Sequence, residues 1–147
     1  MEKILDVCAC SGLRRLSRRI TAIYDHHLLA YALSITQYSL LARIGRIGPI
    51  ANLQLAAEMG MERSTMSRTL KPLIAAKWIA TVDMPLESGT DKRSFGLILT
   101  ELGRQKYAQA QPGWKQAQEE IVRLLGESQY RELNGMVDAS YQKLAEV

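Results

Sequence analysis

The chain has 147 residues, enough for one domain or for one core with a helical dimerisation module. A hydrophobic content of 47% is that of a folded protein and excludes disorder throughout, while a net charge of +4 is only mildly basic. That balance permits a nucleic-acid partner without requiring one, so the placement of the charges matters more than their sum.

No apolar run reaches the roughly 20 residues of a membrane span. The opening Met1-Glu2-Lys3-Ile4-Leu5-Asp6 lacks the charge-then-apolar order of a secretory signal, so a cytoplasmic chain with no membrane partner is expected. The two cysteines, Cys8 and Cys10, are too few for a disulfide framework.

Residues 3–29 read as one long helix, or as a helix broken near Ser11-Gly12, because Leu13, Leu16, Ile20, Ile23 and Leu28 recur at helical spacing. Arg14, Arg15, Arg18 and Arg19 share a different face. Thr36 opens the next helix, with Tyr38, Leu41 and Ile44 pointing inward, and Gly45, Gly48 and Pro49 end it. A short amphipathic helix follows over 52–59, then the turn Gly60-Met61-Glu62, then a second helix over 63–73. Pro72 removes a backbone donor, which predicts a bend beyond Lys71.

Residues 78–83 have strand character. Pro85, Ser88 and Gly89 mark a loop that runs through Asp91-Lys92-Arg93, and Phe95, Leu97 and Leu99 then alternate with Ser94, Gly96 and Ile98 as a half-buried strand does. Thr100 is an N-cap for the following helix, which Pro112-Gly113 is expected to kink. The pattern stays helical from Trp114 onward, and Leu133, Val137, Tyr141 and Leu144 form a stripe with little of its own domain to pack on. With the N-terminal helix, that stripe suggests a helical dimer interface.

The second short helix carries the chemistry. Met66, Leu70 and Leu73 anchor it, leaving Ser64, Ser67, Arg68 and Lys71 to face out at spacings i, i+3, i+4, i+7. Hydroxyls and long cations on one helix face suit a DNA major groove: arginine can pair with guanine through two bonds, and serine or threonine, Thr65 included, can reach a base edge or a phosphate. Arg63 and Ser64 stand at the helix start, where free N–H groups also favour a phosphate. At the loop tip, Lys92 and Arg93 fit a narrow minor groove, and Asp91 is placed to orient Arg93. The competing reading of each set is an ordinary solvated charged face.

The string Thr36-Gln37-Tyr38-Ser39-Leu40-Leu41, residues 53–60, Arg63-Ser64-Thr65-Met66-Ser67-Arg68, Leu73, Asp91-Lys92-Arg93 and residues 97–103 together resemble the MarR family of winged helix-turn-helix repressors. The resemblance runs from about residue 13 to the C-terminus and is specific in combination, not in any single piece. It departs from the family pattern at Trp78, where glycine is usual, at Glu62, where aspartate is common, and in the longer tip with Glu87-Ser88-Gly89-Thr90 ahead of Asp91. The fold implied is mainly α with a small β-hairpin wing: an N-terminal dimerisation segment over 1–33, a winged helix-turn-helix over 34–103 and C-terminal dimerisation helices over 104–147. The function implied is that of a homodimeric regulator, a repressor, on an inverted repeat of double-stranded DNA, with recognition helices in successive major grooves and wings in flanking minor grooves. No enzymatic activity and no cofactor are expected.

The resemblance also implies an inducer, either a small molecule or an oxidant. Residues two apart on a helix point about 200° apart, so Cys8 and Cys10 cannot share one partner there, and a link to a second subunit's cysteine is easier. The alternatives are two buried small apolar residues, or a metal site with Asp25, His26 and His27, which has too few ligands to be preferred. Arg18, Tyr24, His26, Tyr38 and Trp114 are candidates to line a ligand pocket, with Arg18 pairing a carboxylate; the alternative is that the aromatics are plain core. Two other classes compete with a regulator. A thiol redox enzyme lacks a base near Cys8 and Cys10 and a Gly-rich cofactor loop, and a helical adaptor that no longer binds DNA would have lost the cations Arg63, Arg68, Lys71 and Arg93.

Overall fold

The computed structural model describes residues 2–84 and 94–146. They fall into two compact units, one formed by residues 30–111 and the other by residues 1–29 with 112–147.

The central unit begins with helix α3 (Ile35–Ile47). It opens one residue before the expected Thr36, because Ser34 and Gln37 form a capping box: Gln37 N–H donates to Ser34 Oγ at 3.1 Å and Ser34 N–H to Gln37 Oε1 at 3.0 Å. Gly45 lies inside the helix and does not end it; the stop is Gly48, whose N–H still reaches Ile44 O at 2.8 Å. Tyr38, Leu41 and Ile44 are buried, as the spacing requires, and Leu40 joins them. Strand β1 (Ile50–Ala51) leads directly into α4 (Asn52–Glu58), and α5 (Arg63–Ala75) follows the turn. Strands β2 (Ile79–Val82) and β3 (Gly96–Leu99) complete a three-stranded antiparallel sheet in the order β1-β3-β2. Ile79 pairs with Leu99 and Val82 with Gly96, while Ile50 pairs with Leu97.

Two sequence expectations change here. The sheet has a third strand, because two residues beside the Gly48-Pro49 pair carry no alternation to read. Helix α5 continues through Pro72 to Ala75. Losing one backbone bond costs about 3 kcal/mol in a helix interior, but buried Leu70 and Leu73 on either side hold the helix in register.

Helix α5 ends in a Schellman turn, with Lys77 N–H bonded to Ile74 O at 3.0 Å and Trp78 N–H to Leu73 O at 3.1 Å. Lys77 takes the left-handed conformation, φ 62°, that such a turn demands. The backbone position that wants glycine is therefore Lys77, one residue before Trp78. Thr100 caps α6 (Glu101–Leu125) by accepting Gly103 N–H on its Oγ1 at 2.9 Å.

In the second unit, α1 (Glu2–Leu5) and α2 (Ala9–Leu28) replace the long helix expected over 3–29. The break falls at residues 6–8 and not at Ser11-Gly12, because Cys8 takes the N-cap of α2. Helix α6 runs unbroken through Pro112, and the chain turns only at Gly126 (φ 81°) before α7 (Glu127–Ala145). Leu28, Ala117 and Ile121 are buried in this unit. The stripe on α7 is open in the single chain: Val137 is 47% exposed, Tyr141 59% and Leu144 74%.

Candidate nucleic-acid interface

Helix α5 has one face for the core and one for solvent. Met66, Leu70 and Leu73 are 2%, 2% and 0% exposed, and burying each contributes about 1.5–3 kcal/mol. Ser64, Ser67, Arg68 and Lys71 are exposed, as is Arg63 at the helix start. Thr65 is half-buried, set back from that face, and its carbonyl accepts the Thr69 hydroxyl at 2.8 Å. The N-cap residue Glu62 makes no side-chain cap bond.

The helices that precede α5 are held together through bonds the sequence did not reveal. Glu58, at the end of α4, accepts Arg43 Nη1 of α3 at 3.2 Å on one oxygen and Gln54 Nε2 at 3.2 Å on the other. At roughly one-third exposure such a pair is worth at most about 1 kcal/mol, so it orients more than it stabilises. The turn at Gly60 (φ 63°) then passes the chain to α5, with Met61 N–H bonded to Ala56 O at 2.8 Å. Asn52 joins the start of α4 to Phe95 beyond the end of β3. Asp91, Lys92 and Arg93 lie outside the described residues.

The cysteines and the suggested pocket residues lie elsewhere. Cys8 and Cys10 are both exposed, which departs from their reading as buried small residues. Cys8 Sγ accepts the Ser11 N–H at 3.4 Å at the start of α2. Tyr38 is buried in the central unit, its ring stacked on Tyr107 with centroids 5.1 Å apart. Its phenol is pushed well above the usual range, first by burial and then by the Tyr107 hydroxyl. Arg18, Tyr24, His26 and Trp114 belong to the other unit, where Arg18 and His26 are exposed and Tyr24 and Trp114 half-buried.

Around Tyr24 that unit has a polar cluster. Tyr24 donates to Gln118 Oε1, which also accepts Tyr130 OH at 3.3 Å. Burial, and then the nearby Tyr130, push the Tyr24 phenol up to about 12. His27 Nε2 lies 2.5 Å from Glu120 Oε2, and this bond, followed by the charges of His27, Arg123 and His26, holds the Glu120 carboxyl below its usual value against a smaller effect of burial. Among the described residues, no group of three or more His, Cys, Asp or Glu gathers to hold a metal, and no helix is long and apolar enough to cross a membrane.

Two short helices joined by a tight turn, backed by a third helix and followed by an antiparallel strand pair, make a winged helix-turn-helix, the architecture of a DNA-binding transcriptional regulator. Residues 33–85 match the MarR family model. The fold is similar to the transcriptional repressor CouR bound to a 23-mer DNA duplex (TM-score 0.79, 22% identity, covering 93% of this chain and 94% of that one). It is also similar to the M. tuberculosis regulator MosR in complex with DNA (TM-score 0.72, 29% identity, 92% and 98%) and to CouR bound to p-coumaroyl-CoA (TM-score 0.77, 20% identity, 96% and 96%). A comparison with curated proteins finds no match. The segment that carries the helix-turn-helix is thus similar to the MarR family.

Proposed function

We propose that the chain acts as a homodimeric repressor on an inverted-repeat operator, with α5 of each copy in a major groove. The observation that carries this is the division of α5: buried Met66, Leu70 and Leu73 behind, exposed Ser64, Ser67, Arg68 and Lys71 in front. Arg68 reads a base edge. Lys71, Ser64 and Ser67 hold phosphate or base edges, and Arg63 at the helix start, beside Thr65, takes a phosphate. Lys92 and Arg93, oriented by Asp91, take the flanking minor groove on the sequence pattern alone. Dimerisation falls to residues 1–33 and 104–147, a reading supported by the open Val137, Tyr141 and Leu144, while 34–103 is the DNA-binding domain.

Release of DNA follows either a small-molecule ligand or cysteine oxidation. The exposure of both thiols favours oxidation. In that route peroxide converts the Cys8 thiol to a sulfenic acid with loss of water, and the thiol of a second copy condenses with it to a disulfide, losing a second water.

The test is fluorescence anisotropy on a duplex selected by the protein from a random-sequence pool, at one fixed salt concentration, reduced and after mild peroxide. Tight binding by a dimer is expected, weakened by peroxide and restored by reductant. Absence of any selected sequence overturns the DNA reading, and binding indifferent to peroxide removes the thiol route and leaves the ligand route.

A further inference from the structure

We propose that Asn52 is a positioning residue for the wing, acting on DNA binding without touching DNA. Strand β3 is paired on one edge by β1 only as far as Ala51 opposite Gly96, and on the other by β2 only as far as Val82 opposite Gly96. Phe95 and Ser94, which separate β3 from the charged loop, therefore lie beyond both ladders. Asn52 holds them there. Its N–H donates to Phe95 O at 3.0 Å, its Oδ1 accepts Phe95 N–H at 3.1 Å, and the same oxygen takes a long bond of 3.5 Å from the Ser94 hydroxyl.

The chemistry explains why an asparagine does this. Asn52 is the first residue of α4, so its main-chain carbonyl is turned into the helix and cannot continue the ladder with β3. The side-chain amide oxygen stands in for that carbonyl and adds one more rung. Asn52 is not spent on capping: the N-cap of α4 is Ala51, which makes no side-chain cap bond. One residue thus ties Phe95 and Ser94, which follow Asp91-Lys92-Arg93 in the sequence, to the start of α4 and so to the helix-turn-helix.

This inference rests on the reading of the charged loop as a DNA contact, so the test pairs Asn52→Ala with Arg93→Ala on the selected duplex. Affinity, hydroxyl-radical footprint and thermal midpoint are measured for each variant and for the double variant. Asn52→Ala is expected to weaken binding roughly three- to tenfold, the loss of one hydrogen bond. Protection of the flanking minor grooves should fall while the central major-groove protection stays, and the double variant should bind no worse than Arg93→Ala alone. An Asn52→Ala footprint and affinity like the parent's, beside a weakened Arg93→Ala, overturn this proposal only. Arg93→Ala binding like the parent overturns the wing reading and this proposal together. Additive losses, or a lowered thermal midpoint with centre and flanks weakened alike, make Asn52 a fold residue and overturn the proposal.

Discussion

A Cβ atom placed on Gly103 would lie 2.0 Å from the carbonyl oxygen of Trp78. That oxygen already accepts Thr100 N–H at 3.1 Å and the Thr100 hydroxyl at 3.2 Å, so neither the strand start nor the helix start can retreat. Gly103→Ala is expected to cost about 3 kcal/mol, the upper end for overpacking, because the obstacle is backbone. A fall in the thermal midpoint of the variant checks this; an unchanged midpoint shows that α6 can shift.

Lys77 offers the opposite effect. A side chain in the left-handed region costs about 1–2 kcal/mol, and Lys77 is exposed, so glycine there loses little packing. Lys77→Gly is expected to raise stability by about 1 kcal/mol, less what the more flexible unfolded chain gives back. Urea unfolding should show a higher midpoint at unchanged slope.

Arg68→Ala should weaken binding to the selected duplex by about 1–3 kcal/mol and relax preference at one base position. Lys71→Ala should weaken selected and random DNA alike and reduce the salt slope by about one phosphate. Equal losses for Arg68→Ala on both DNAs assign it to phosphate only.

The tyrosine cluster makes stability sensitive to alkali. Tyr24 ionises near 10 when unfolded and near 12 when folded. Its contribution is complete below pH 10 and disappears as pH rises through about 12. Glu120 works in the other direction: its folded carboxyl is held down by His27, so its contribution is present above the ordinary carboxylate range and is lost as pH falls through the lowered value. Denaturation midpoints across pH should drop at both ends, the alkaline drop shrinking in Tyr24→Phe and the acid drop in His27→Ala.

Cys8→Ser keeps an oxygen able to accept the Ser11 N–H and removes the thiol. It should leave DNA binding intact and abolish the response to peroxide. A response that survives excludes Cys8 as the sensor.

Most of the central unit could be read from side-chain periodicity, because α3, α4 and α5 each bury one stripe and expose another. Tyr38, Leu41 and Ile44 are legible for that reason, as are Met66, Leu70 and Leu73. What escaped reading depends on partners distant in sequence. β1 is two residues long and exists because β3 offers it an edge. Asn52, an unremarked polar residue at a helix start, gains its role only beside Phe95, forty-three residues later. Arg43 and Glu58 meet because α3 and α4 cross.

The two faces of α5 also separate two kinds of change. Ser64, Ser67, Arg68 and Lys71 are exposed, whereas Met66, Leu70 and Leu73 are buried and anchor the helix. A library randomised at those four exposed positions therefore samples sequence preference without sampling foldedness. A lineage of such proteins can drift from one target to another through intermediates that are all well folded.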